Sequence, residues 1–190
     1  MKPQNNIALK EWAVVLKALE EGKQTLLLRK EGVQEEGGTL KPEHPEFFLY
    51  PTLEHESPAV IKADWRPRVA AIEKENKDPK RIHFRLYAIA ERVEKVTDWE
   101  ACKHLIPFTV LSDEAVEKRF NEGDWQGVFV FILRVYSLPV PMDLPLKPSY
   151  EGSRSWVSLE TSMFTAGSIT VIPDGAWPYT RDKISKLLHS

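Results

Sequence analysis

The sequence predicts an α+β fold: a mixed, partly closed β-sheet or small barrel with short helices at its periphery. Three observations carry that expectation. The two longest regular stretches, Ile82 to Val93 and Gly127 to Tyr136, are rich in branched and aromatic residues and have strand length. The capped helical patterns are few and short. Strands and helices do not alternate regularly, which argues against a doubly wound parallel sheet. With 190 residues, no internal repeat and no linker-like stretch, the chain reads as one domain over residues 1–190.

Element by element, Ala13 to Ala18 and Thr25 to Leu28 predict a β-hairpin, with Gly22 in the polar turn between them. Val33 to Pro45 reads as a loop around Gly37-Gly38, and Phe47 to Tyr50 as a short strand stopped by Pro51. Ser57 as N-cap and Pro58 at the first helical position open a helix that Pro67 divides into 58–64 and 67–76. After the strand from Ile82 come one or two helical turns over Asp98 to His104. Ser112 opens the clearest helix: Asp113 and Glu114 complement its dipole, Val116 and Phe120 share a face, and Gly123 follows its end. Six prolines between Pro139 and Pro178 predict extended surface chain. Trp156 to Leu159 and Ile169 to Ile172 follow as short strands. Thr180 is placed to cap a last helix with Ile184, Leu187 and Leu188 on one face.

Composition narrows the function classes. Hydrophobic residues make up 42% and charged residues 28%, which suits a globular chain rather than a disordered one. The first residues are polar, no apolar run is long enough for a bilayer, and Cys102 is the single cysteine. The expected compartment is therefore the cytoplasm, with no membrane partner, no internal disulfide and no cysteine-built zinc cage. Phosphate-loop and dinucleotide fingerprints are missing, and no cofactor is expected. A hairpin followed by a glycine pair is reminiscent of a Nudix entrance, but the glutamate-rich helix that enzyme class needs does not follow Gly38.

Other catalytic patterns are thin. His44 and His55 bracket Glu46, Glu54 and Glu56, suitable ligand types that no helical His-x-x-x-His pair organises. Cys102 and His104 are two apart, and on a helix would not face each other. Glu73-Lys74-Glu75 and Glu94-Lys95 are fragments of a nuclease pattern that arise readily on charged surfaces.

The arrangement of arginines and aromatics says more. On a chain of net charge −2, residues 62–85 hold eight Lys/Arg against four acids, a local excess of +4. Such a stretch is either a solvated surface or a face for an anionic ligand. Trp65 sits beside Arg66 and Arg68, and Trp156 follows Arg154. Aromatic planes beside guanidinium groups suit base stacking with phosphate anchoring, although Arg stems packed over core tryptophans give the same local pattern. The candidate nucleic-acid face is Lys62, Arg66, Arg68, Lys80, Arg81 and Arg85, with Trp65, Trp156 and Tyr50 as stacking platforms.

Several segments together resemble the bacterial domain-of-unknown-function family 1802. They are Leu9-Lys10-Glu11-Trp12-Ala13, Glu36-Gly37-Gly38, Phe47 to Thr52 with Glu54-His55, Arg119-Phe120, Arg134-Val135-Tyr136 with Leu138-Pro139, and Tyr150 to Trp156. Ser153 stands where many relatives are expected to carry cysteine, which weakens any shared thiol chemistry. The family implies no activity, but some of its members are joined to a restriction-endonuclease-like domain, which implies a reader role in restriction or defence. A second resemblance, over Tyr87 to Glu94, the Ser112 helix and Val128 to Val135, is to PUA and ASCH-type barrels, which implies a cleft for RNA or modified bases. The expectation is thus a non-catalytic module that binds DNA or RNA, reads modified or flipped bases and works with a restriction or defence partner protein. The alternatives are a metal-dependent hydrolase built on His44 and His55, and an interaction component that docks a partner through the proline-rich 139–148 stretch.

Overall fold

In a computed structural model, which describes residues 1–53, 58–78, 80–152 and 154–188, a seven-stranded mixed sheet forms the body. In chain order the elements are β1 (Gln4–Trp12), α1 (Ala13–Glu20), β2 (Leu26–Arg29), β3 (Val33–Glu36), β4 (Thr39–Pro42), β5 (Glu46–Thr52), α2 (Arg66–Asn76) and β6 (Arg81–Val96). Next come α3 (Trp99–Lys103), α4 (Asp113–Asn121), β7 (Val128–Pro145), β8 (Trp156–Phe164), β9 (Ile169–Thr170) and α5 (Trp177–Leu187). The strand order is β2-β7-β6-β5-β1-β8, with β9 added to β7, and β3 and β4 form a separate hairpin. β1 and β5 are parallel; the other pairs are antiparallel. The path ends at β2 and β8, so the sheet curls without closing, as the sequence predicted of its class.

The curl creates two cores. One lies between the sheet and the helices and takes in Val14, Leu19, Leu27, Phe131, Val116 and Trp177. The other is enclosed by the curling strands and the β7–β8 connection, with Phe48, Tyr50, Phe84, Tyr87, Leu138, Tyr150 and Val157. β6 serves both because its register shifts between Phe84 and Leu86. Ile82 and Phe84 point to the second core, whereas Leu86 and Ala88 point to the first. A strand's side chains alternate, so one extra residue exchanges its faces.

Several sequence expectations are corrected. Ala13 to Ala18 is not a hairpin arm but helix α1, and the strand preceding it, β1, was not anticipated. A short apolar run gives no periodicity by which to tell a strand from a buried helix. Six of the eight α1 residues are buried. Gly22 is a helix end rather than a hairpin turn: at φ 64° it lets its N–H reach the Leu19 carbonyl, while the Lys23 N–H reaches the Ala18 carbonyl. The 33–45 loop contains the β3–β4 hairpin, turned at Gly37-Gly38. Pro51 does not stop β5. The β5–β6 pairing covers only Glu46 to Phe48, so beyond it the side of β5 away from β1 is open and a missing N–H costs no ladder bond there.

The proline-rich 139–145 stretch is extended and largely exposed, as expected, but it continues β7, whose residues 142–145 pair with Arg81 to Phe84. Thr180 lies inside α5, its hydroxyl on the Ala176 carbonyl. The Ser112 helix has the predicted form: the Ser112 hydroxyl accepts the Ala115 N–H, and Val116 and Phe120 are buried. The Ser57 cap lies outside the described residues.

Candidate nucleic-acid interface

Where the parallel pair β1 and β5 ends, two clefts open side by side and share Lys10 and Thr52. Their volumes are about 510 and 500 Å³, each within the usual range for a small-molecule or nucleotide-sized site. Together they make one groove across the ends of β1 and β5.

The first cleft is walled by Tyr50, Tyr150, Arg81 and Asp78. Tyr50 is edge-on to Phe84, and the Lys10 ammonium stands 5.7 Å from its ring centre. Lys10 also donates to the Gly152 carbonyl at 2.8 Å. The Tyr150 hydroxyl accepts the Glu160 N–H, which ties the end of β7 to β8. Arg81 lies 3.7 Å from the half-exposed Asp143, a separation at which its guanidinium keeps donors for a ligand.

The second cleft is more highly charged. Glu11 and Arg29 form an ion pair at 3.1 Å with side chains only 5% and 11% exposed. Arg29 also donates to the Lys10 carbonyl, and its Nε is buried without a partner. Arg119 reaches down from α4 to the Leu28 carbonyl at 2.9 Å and lies 5.3 Å from the Trp12 ring centre. Lost hydration pulls the Arg119 guanidinium below its ordinary pKa, with Arg29 lowering it further and Glu11 and Glu122 opposing. Lys30 donates to the Trp125 and Gly127 carbonyls at 2.7 and 2.9 Å and stands 4.1 Å over the Trp125 ring. Burial lowers its pKa as well, against the opposing charge of Glu122. The exposed Glu31, Glu122 and Asp124 form the rim.

The stretch from Lys62 to Arg85 does not make one face. Lys62 donates to the Ile106 carbonyl at 2.6 Å, and its burial lowers its pKa; Arg66 donates to the Ile61 carbonyl at 2.8 Å. Arg68 pairs with Glu21 and covers Trp65 at 4.3 Å. Trp65 is a core residue, 9% exposed, with no ring face left for a base. Lys80 is exposed beside the groove but lines neither cleft. Arg85 pairs with Glu75 in a narrow slot between α1 and α2. Most are held by a partner of their own: backbone carbonyls for Lys62 and Arg66, Glu21 for Arg68 and Glu75 for Arg85. Of the six cations only Arg81 lines the groove; Tyr50 borders it too, but at 6% exposure and packed edge-on to Phe84 it is a core residue like Trp65.

Trp156 is wedged edge-on between His44 and Phe47, each ring centre 5.0 Å away, with its buried Nε1 unpartnered. His44 is thereby partly desolvated, which lowers its pKa; the neighbouring Glu43 opposes this. Glu46 is engaged elsewhere, accepting from the Tyr87 hydroxyl at 3.0 Å and the Lys2 N–H at 2.7 Å. His55, Glu54 and Glu56 lie outside the described residues. Among the described residues no cluster of three or more His, Cys, Asp or Glu is arranged to hold a metal ion. Cys102 is buried, and burial pushes its thiol up to about 11, which disfavours the thiolate.

Sequence reasoning about charge runs missed Lys10, Arg29, Lys30 and Arg119. A signal for two of them existed, since Lys10 and Arg119 lie in segments that carry the family resemblance. Arg29 and Lys30 follow an apolar run and give no local sign.

The family is secure: residues 8–182 match the model of the domain of unknown function DUF1802, and the chain belongs to that family. Among solved structures the chain is similar to an ASCH protein from Zymomonas mobilis, at 13% identity and a TM-score of 0.47, covering 81% of this chain and 87% of that one. Two mutant forms of the same protein give 12% identity and 0.47 over 81% and 89%, and 10% identity and 0.44 over 96% and 99%. No curated protein sequence matches the chain. No helix among the described residues is long and apolar enough to cross a membrane.

Proposed function

We propose that the groove across the ends of β1 and β5 binds nucleic acid and reads a base. The observation that carries this is the adjacency of two nucleotide-sized clefts that share Lys10 and Thr52, with aromatic rings and cations on their walls. Acidic and basic groups lining each cleft are equal in number, so a polyanionic backbone gains little from the groove as a whole. Affinity then rests on stacking and directed hydrogen bonds, which favours an unpaired or flipped nucleotide over a duplex tracked by its phosphates. In a restriction or defence assembly such a groove would serve as the reader of a modified base.

The test is an affinity series with single-stranded and duplex oligonucleotides, with and without modified bases, at several salt concentrations. Lys10→Ala and Arg81→Ala together should weaken binding and flatten the salt dependence by about 0.7 per lost contact on single strands. Arg66→Ala and Arg68→Ala should leave binding unchanged. If that second pair weakens it as much as the first, the ligand lies on α2 and not in the groove. Binding no tighter than about 10⁻⁴ M at physiological salt would be weak non-specific attraction and would end the reading.

A further inference from the structure

The interior of the second cleft holds more positive charge than its partners neutralise. Three cations reach into it, Arg29, Lys30 and Arg119, against a single buried carboxylate, Glu11. Both Glu11 oxygens are already engaged, one by the Arg29 guanidinium and the other by the Trp12 N–H. Among the described residues no carboxylate lies within 4.0 Å of Arg119 or Lys30; their hydrogen bonds go to backbone carbonyls. Carbonyl oxygens orient a cation without cancelling its charge. The buried Nε of Arg29 lacks any acceptor. Taking unneutralised charge out of water is costly, so a cleft built this way is completed by an anion that brings several acceptor oxygens.

We propose that this cleft seats one phosphate group, held between Arg29 and Arg119. Guanidinium forks match phosphate oxygens, and both are fixed in advance, Arg29 by Glu11 and the Lys10 carbonyl, Arg119 by the Leu28 carbonyl and the Trp12 ring. The rim narrows the choice further. Glu31, Glu122 and Asp124 are exposed at the mouth and repel a run of phosphates, while one phosphate past them meets only the cations and the paired Glu11. The fitting ligand is therefore a terminal phosphate, on a strand end or a mononucleotide, rather than an internal stretch of backbone. This deepens the groove reading by placing the phosphate in one cleft and the base in the other.

The experiment measures affinity for oligonucleotides carrying a 5′-phosphate, a 3′-phosphate or hydroxyls at both ends, beside titrations of inorganic phosphate and nucleoside monophosphates followed by ³¹P line broadening. One phosphorylated end should bind at least about tenfold tighter than the hydroxyl form, the scale of one charge-assisted hydrogen bond. Arg119→Gln and the milder Arg29→Lys should each reduce that preference, with folding checked by circular dichroism. The end-group comparison on the parent protein needs no variant and decides the matter even if both variants unfold. Equal affinity for all ends, with no ³¹P broadening, overturns the phosphate seat and leaves the groove reading standing. Broadening by phosphate or a mononucleotide without oligonucleotide binding supports the seat and removes the nucleic-acid reading. A preference that survives both folded variants places the phosphate elsewhere and overturns the assignment.

Discussion

Gly127 shows how much one residue can be asked to do. Its φ is 130°, and a Cβ there would lie 2.4 Å from the Val96 carbonyl oxygen and 2.6 Å from the Trp125 ring. The carbonyl cannot give way easily, because Val96 pairs with Val128 at the start of β7. Gly127→Ala should destabilise the protein by roughly 2–4 kcal/mol, combining backbone strain with the clash. A urea midpoint within error of the parent would mean that the 124–127 loop can move aside. His44 makes a pH-dependent contribution whose sign follows from its surroundings. Its folded pKa is held below the ordinary 6.5 by desolvation against Trp156, so the unfolded chain binds the proton more readily. The stabilisation is present above about 6.5 and is lost as pH falls through the folded value. Stability measured from pH 8 to 5 should therefore fall less steeply for His44→Gln than for the parent. Parallel curves would show that the ring is as well hydrated folded as unfolded.

At the scale of elements, α4 rests on features that stand next to one another in sequence, while α1 rests on features that do not. The Ser112 cap, the acidic first turn and the i, i+4 pair Val116 and Phe120 all lie within nine residues. Replacing Phe120 by Ala should cost roughly 3–5 kcal/mol, and Ser112 by Ala about 1 kcal/mol. A Phe120 loss under about 1 kcal/mol, measured by denaturant unfolding, would be incompatible with a ring that is 4% exposed and packed on Trp99. For α1 the decisive fact is remote. Its apolar residues are buried almost all round because the curled sheet and α2 cover them from two sides. Gly22 makes the same point, since a glycine at positive φ serves a hairpin turn and a helix end equally well.

The whole molecule is bound together by β6 and β7, whose long antiparallel pairing runs through both cores. The two cores carry different reporters. Trp65 and Trp177 belong to the helix-side core, and Tyr50, Tyr87 and Tyr150 to the other. Because each long strand loses its partners on both faces together, the chain should unfold in one transition, with tryptophan fluorescence and far-ultraviolet dichroism changing at the same denaturant concentration. Separate midpoints would show that the strand-enclosed core melts on its own.

By itself the sequence determined the α+β character, the β6 and β7 strands, the capped α4 helix and the family, because each rests on neighbouring residues: runs of branched and aromatic side chains, a cap and its periodic face, short ordered motifs. Tertiary structure alone decided that Ala13 to Ala18 is helical, that residues 142–145 pair with the start of β6, and which charges meet. The cations of residues 62–85 are close in sequence but scatter because they are held by different partners, backbone carbonyls, Glu21 or Glu75. Lys10, Arg29 and Arg119 are far apart in sequence and converge because Arg29 pairs with Glu11 and donates to the Lys10 carbonyl, while Arg119 reaches from α4 to the Leu28 carbonyl. A charge run records proximity along the chain, whereas a binding groove is made by proximity across it.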